Sequence, residues 1–268
     1  MAKRVIKVGK IMRGEEKTFR KFRIYNALMG FFHLAQGVAM LWLSNAFALP
    51  ITTQYLNFNK ATSSLFQQPQ TLWSLRIGPA VASFLFISAL AHFLTSTVLY
   101  KWYVEKLKQH INIIRWVEYS FSSSIMIVII SMLVGVYDLS SLILLFTVNA
   151  GMILFGWMME KHNQVTVKTN WTSYIFGCIM GIVPWIVITL YLVGSAQLTS
   201  NAVPTFVYWI FGTLFVFFNI FAINQLLQYL KVGKWKNYLY GEAAYILLSL
   251  VAKSLLAWQV FFGTLRPM

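Results

Sequence analysis

Seven stretches of this chain stay apolar for about 20 residues or more, and no other feature constrains its fold as tightly. They fall at about 22–49, 73–103, 107–137, 139–159, 172–195, 203–230 and 238–264. A helix rises ~1.5 Å per residue, so about 20 apolar residues cross the hydrocarbon core of a bilayer. Lipid offers bare backbone no hydrogen bonds, so each run is expected to be helical. Single interruptions such as Pro184 and Gly212 kink or thin a helix without ending it. Only 11% of side chains are charged, where a soluble domain carries roughly 25%. The 17% aromatic content excludes a disordered chain. The expectation is an all-α integral membrane protein. A basic arm covers residues 1–21, one seven-helix domain residues 22–264, and a short tail residues 265–268.

The cations assign the ends of these spans. The chain holds 22 Lys and Arg against seven Asp and Glu. In a soluble protein that excess would point to nucleic acid; here it records membrane topology, and no nucleic-acid partner is expected. Nine cations lie in the N-terminal arm: Lys3, Arg4, Lys7, Lys10, Arg13, Lys17, Arg20, Lys21 and Arg23. Lys101, Lys106, Lys108 and Arg115 follow span two, Lys161 and Lys168 span four, and Lys231, Lys234 and Lys236 span six. Eighteen of 22 therefore share one side, which the positive-inside rule makes cytoplasmic, with the C-terminus outside. A plasma-membrane location is expected, and the arm is explained by topology and by attraction to anionic lipid.

Several look-alikes carry no function. Ala46-Phe47-Ala48 resembles a signal-peptidase site, but the apolar run before it is too long for a signal peptide. The sequon at Asn170 lies on the expected cytoplasmic side, and the single Cys178 reads as a packing residue. The outer connection, about residues 50–72, is rich in Thr, Gln and Asn. Ile51, Thr53 and Tyr55 alternate there as in a short strand, which makes it a candidate cap or oligomer contact.

A charge in mid-membrane costs at least about 2.5–3.5 kcal/mol, so each one demands an explanation. Lys253 sits fifteen residues into the seventh run, ~22 Å from its start. It reads either as a structural cation paired with a carboxylate or as an amine able to form a Schiff base with a carbonyl. Glu118, about eleven residues into the third run, is the one carboxylate expected in the same slab, with Arg115 a turn earlier on its face. Opposite charges near 4 Å attract by roughly 4 kcal/mol at an effective dielectric of 20, which makes Glu118 and Lys253 the expected partners. His33 and His92 fall at the depth of Glu118, either as hydrogen-bonded structural residues or as a hydrated proton-holding cluster. A metal site is not expected, because these residues lack short ligand spacing. Beyond Lys253 the third run offers Ile129 where a pump would need a carboxylate, and Ser249 stands one turn before the lysine.

Seven spans, a lysine midway along the last and one carboxylate in the third resemble a retinal-binding rhodopsin, and the inverted orientation resembles the heliorhodopsins. Ser249-Leu250-Val251-Ala252-Lys253 looks like that family's retinal-attachment segment. Arg115-Trp116-Val117-Glu118-Tyr119 looks like its counter-ion segment. Ser88-Ala89-Leu90-Ala91-His92 and His33 resemble its polar cluster, and the long first outer loop its β-structured, dimer-forming loop. The resemblance implies all-trans retinal bound covalently at Lys253, Glu118 as counter-ion, and a polar cluster of His33, His92, Ser88, Arg115 and Ser249. It implies a pocket of Tyr119, Asn149, Met152, Ile153, Gly156, Pro184, Trp185 and Phe218. By themselves these pocket residues read as ordinary helix packing.

The function so implied is a slow, non-pumping light sensor, homodimeric, with an unidentified cytoplasmic signalling partner. One rival is a light-driven proton transporter or channel of the same family. A second is a small-solute transporter gated by a Lys253–Glu118 pair, although paired broken helices in two related halves are not seen. An enzyme is not expected.

Overall fold

A computed structural model describes residues 2–198 and 203–266, with side chains described over 16–197 and 203–266. Of the arm's cations, Lys3, Arg4, Lys7, Lys10 and Arg13 lie outside the described side chains, as do tail residues 267–268. Helix α1 covers Ala2–Leu43, so the arm and the first span share one 42-residue helix, ~63 Å long. A hairpin follows, β1 (Ala48–Asn59) with β2 (Ser64–Arg76). Then come α2 (Ile77–Ser96), α3 (Tyr100–Lys108), α4 (Ile113–Leu133), α5 (Leu139–His162), α6 (Thr172–Leu198), α7 (Thr205–Leu230) and α8 (Tyr238–Val260). Among the described residues, seven helices are long and apolar enough to cross a membrane, and α3 is not one of them.

Three of the expected spans were drawn too long, the third (107–137) shrinking to Ile113–Leu133. The first helix ends at Leu43, and Asn45 turns the chain by accepting from the Phe47 amide and donating to the carbonyls of Thr264 and Arg266. The expected second span, 73–103, breaks after Ser96, where the Ser96 and Thr97 hydroxyls cap the carbonyl of Phe93. Its remainder becomes α3, a short amphipathic helix that buries Tyr103 and Leu107 against Phe19 and Phe22 and carries Lys101, Lys106 and Lys108. Apolar windows merged the two because Val98, Leu99, Trp102 and Tyr103 bridge the break.

The hairpin is longer than the loop that the sequence marks. Its antiparallel register runs from Ala48↔Arg76 to Asn59↔Ser64, with Leu72 left unpaired as a bulge between Ile51↔Trp73 and Thr52↔Thr71. Both strands are edges, so Pro50 and Pro69 cost no ladder bond that a central strand would need. The Thr52 amide donates to the carbonyl of Tyr137, 2.9 Å away, and fastens the hairpin to the α4–α5 turn.

Buried side chains separate by depth. Toward the hairpin end one large apolar cluster includes Val81, Leu85, Met126, Ile127, Ile129, Ile130, Leu214 and Leu256. Toward the α3 end the apolar cluster is smaller, and buried polar residues take the remaining space: Asn26, His33, Asn112, Arg115, Glu118, Glu160 and Glu242.

Candidate functional site

Lys253 is the focus, and it lies where the two halves meet. Side chains on a helix lean toward its N-terminus, so the lysine reaches back along α8 toward the α3 end. Its Nζ donates to Glu118 Oε1 at 2.7 Å and to Ser249 Oγ, one turn earlier, at 2.8 Å. Ser88 Oγ on α2 donates to the same carboxylate oxygen at 2.6 Å. Both members of the ion pair are buried, Lys253 at 3% and Glu118 at 8% exposure. An ion pair this dry survives only when further hydrogen bonds satisfy it, and the two serines supply them. Glu118 sits in the second turn of α4 rather than eleven residues in, because that helix starts at Ile113.

A polar pocket continues from Glu118 toward the α3 end. His33 and His92 stack with ring centroids 5.5 Å apart and planes 11° off parallel. His92 Nδ1 shares a 2.8 Å hydrogen bond with Asn26 Oδ1. His33 is fully buried, and neither of its ring nitrogens has a partner among the described residues. A cavity of about 30 Å³ touches Asn26, His92, Thr95, Arg115 and Glu118, which is room for a water with several polar neighbours.

Arg115 borders this pocket, where the sequence places it one turn before Glu118. Its guanidinium, however, binds two carboxylates that the sequence reading did not name. Nη2 meets Glu160 Oε1 at 2.6 Å, and Nη1 donates to Glu242 Oε1. Asn112 Nδ2 donates to the second oxygen of Glu242 at 2.7 Å, and Trp116 Nε1 to the second oxygen of Glu160 at 2.6 Å. The guanidinium is also held between aromatic rings, 4.3 Å from the Trp116 centroid and 3.9 Å from that of Tyr245. Sequence reading missed Glu160 and Glu242 because one lies in the last turn of α5 and the other just past the first turn of α8, where a charge looks solvated. The available signal was scarcity: with seven acids in 268 residues, every acid inside an apolar run needs a partner.

On the other side of Lys253 lies an apolar slot between α4, α5, α6, α7 and α8. Two adjoining cavities, about 50 and 80 Å³, share Tyr119, Met152, Ile153, Phe218 and Phe221 as walls. The first ends on Lys253 and Ser249, and the second extends past Gly156 to Trp116 and Tyr245. Gly156 must be glycine, since a Cβ there would run into the Trp116 ring. Of the residues the sequence assigns to a pocket, Tyr119, Met152, Ile153, Gly156 and Phe218 line these cavities, with Ser249 beside the lysine. Asn149 stands one layer back, donating to Ser123 Oγ at 2.8 Å and Ser124 Oγ at 3.0 Å. Trp185 packs edge-on behind Phe218 at 5.5 Å, and Pro184 sits inside α6 beside it without lining either cavity. Ser123, Phe221 and Tyr245 are wall residues that sequence reading did not name.

A seven-helix bundle with a buried lysine on its last helix facing a carboxylate on another has the architecture of a rhodopsin. The chain is similar to the crystal structure of Exiguobacterium sibiricum rhodopsin, with a TM-score of 0.59 over 94% of this chain and 96% of that one. At 13% identity this likeness shows the fold alone. Residues 22–265 match the heliorhodopsin family model, and the chain belongs to the heliorhodopsin family. No curated protein matches it. It is a retinal-binding, light-responsive, multi-pass membrane protein. The side chains present suit that chromophore: a dry primary amine, an anion and two hydroxyls meet at the end of a slot walled by aromatic rings and by pliable Met126 and Met152.

Proposed function

We propose that this protein is a light sensor in which Lys253 holds all-trans retinal as a protonated Schiff base and Glu118 balances its charge. The observation that carries the reading is the buried 2.7 Å Lys253–Glu118 pair at the closed end of an apolar slot. Bound retinal supplies visible absorption and a light-driven change of shape. Tyr119, Met152, Ile153 and Phe218 flank the polyene and exclude water from it. Ser249 and Ser88 keep the carboxylate and the attachment nitrogen in register. The pocket of His33, His92 and Asn26 is the proton-holding site, one water away from Glu118. Because the hairpin half is packed with apolar side chains, a proton leaving the site returns by the same side, and no net ion transport results. The α3 end faces the cytoplasm of a plasma-membrane protein, in keeping with its lysines, and the signal passes there to a partner. Two copies pair through the hairpin, a reading supported by the exposed Tyr55, Leu56, Phe58, Leu65 and Phe66. The protein transforms no substrate.

The test is visible absorption of the purified protein expressed with all-trans retinal, beside Lys253→Ala and Glu118→Gln. A visible band that the lysine variant lacks and that shifts to the red in the glutamine variant is expected. A colourless wild type would overturn the reading. Illumination of cells in unbuffered medium checks the absence of pumping: an uncoupler-sensitive pH change would replace the sensor with a proton transporter.

A further inference from the structure

A large polar crevice lies away from the lysine, at the α3 end of the bundle, and the proposed light response makes no use of it. It encloses about 660 Å³ between the α3–α4 turn, the α5–α6 connection and the α7–α8 connection, a volume within the usual range for small-molecule sites of ~300–1,000 Å³. Its rim carries Lys231, Lys236 and His110, with the carboxamides of Gln109 and Gln164 between them. The chain reverses at Lys231, which closes α7 in the left-handed conformation at φ 54°, so both lysines border the same space. Among the described residues Glu160 is the one acid in the wall, and its oxygens are already taken by Arg115, Trp116, Asn112 and Tyr238. Among those residues the two lysines therefore meet no other carboxylate in the crevice.

The walls are tied in place. Gln164 Nε2 donates to the carbonyl of Gln109 at 2.7 Å, and Gln228 Nε2 to that of Tyr238 at 3.2 Å. Trp235 Nε1 donates to Asn224 Oδ1 at 2.7 Å and anchors the short turn Gly233–Lys236. A crevice with tied walls and two exposed lysines at its edge suits an anion with several oxygens, which ammonium and carboxamide N–H groups can bind.

We propose that this crevice binds a small phosphate-bearing anion, either free in solution or as a lipid headgroup. Lys231 and Lys236 provide the charge, and the His110 ring and the carboxamides direct the oxygens. Tyr238, which lines the crevice, donates its hydroxyl to Glu160 at 3.2 Å, so an occupant sits one side chain away from the Arg115 cluster. The site does not depend on the chromophore assignment, and its test reads heat rather than colour.

The full chain in neutral phosphatidylcholine nanodiscs is titrated with inorganic pyrophosphate by calorimetry. Saturable binding is expected, weakened at least tenfold in the Lys231→Gln/Lys236→Gln variant and unchanged in Lys60→Gln, a lysine at the hairpin tip. If the double variant fails to fold, Lys231→Arg/Lys236→Arg, which keeps both charges, must retain binding. Anionic phosphatidylglycerol discs identify the source: loss of pyrophosphate binding there marks a headgroup site, and undiminished binding marks a soluble ligand. No saturable heat in neutral discs, or an equal loss in Lys60→Gln, overturns the proposal.

Discussion

The two halves of the bundle on either side of Lys253 solve the same problem in opposite ways. Toward the hairpin the interior is filled by interlocking aliphatic side chains such as Ile127, Ile129 and Ile130. Toward α3 the interior holds Arg115, Glu118, Glu160, Glu242 and two histidines, each placed by specific hydrogen bonds, His33 excepted. An aliphatic interior is forgiving, since volume and fit decide its energy. A buried polar network is not, since one missing partner strands another group without water. The asymmetry gives the lysine one dry side, suited to an apolar chromophore, and one polar side, suited to moving a proton.

The strongest challenge to this contrast is made at the boundary itself. Lys253→Ala is expected to abolish the visible band completely while the bundle still folds; a coloured variant would place the attachment elsewhere. Next in size is Arg115→Ala, which leaves Glu160 and Glu242 buried without their cation. A loss of about 3–5 kcal/mol is expected, read as a lower thermal unfolding midpoint in detergent. Equal stability would show that the polar half is not interlocked. Gly156→Ala pushes a methyl group into the Trp116 ring at the far end of the slot, at a cost of about 1–3 kcal/mol, together with a displaced absorption maximum. The smallest effect belongs to the aliphatic half: Ile129→Val removes one methylene for about 0.5–1.5 kcal/mol and leaves the spectrum unmoved. A spectral shift from that variant would break the separation of the halves.

Much of this organisation is legible in the sequence because the bilayer simplifies the physics. A charge within an apolar run has few ways to exist, so Lys253 and Glu118 stand out and must meet, and they do. His33 and His92 follow from counting turns along antiparallel helices, and their rings do stack. Depth counting fails where helix ends are misjudged. The α2–α3 break is invisible to an apolar window, since hydroxyl groups of Ser96 and Thr97 cap the helix without interrupting its hydropathy. The partners of Arg115 are lost for a related reason. Intrahelical spacing points to Glu118, three residues on, whereas the real partners come from the end of α5 and the start of α8. Only the packing of three helix ends brings them together.

The clasp at Asn45 carries a consequence for biosynthesis. Its side chain holds the carbonyls of Thr264 and Arg266, and its amide holds that of Leu265 at 2.8 Å. A turn made early in synthesis is thus secured by residues made more than 200 positions later. While translation continues, α1 has no α8 beside it, Glu118 has no lysine to face, and the slot lacks a wall. The ring of helices closes only after α8 and the segment behind it have been made, so the slot gains its last wall late in synthesis.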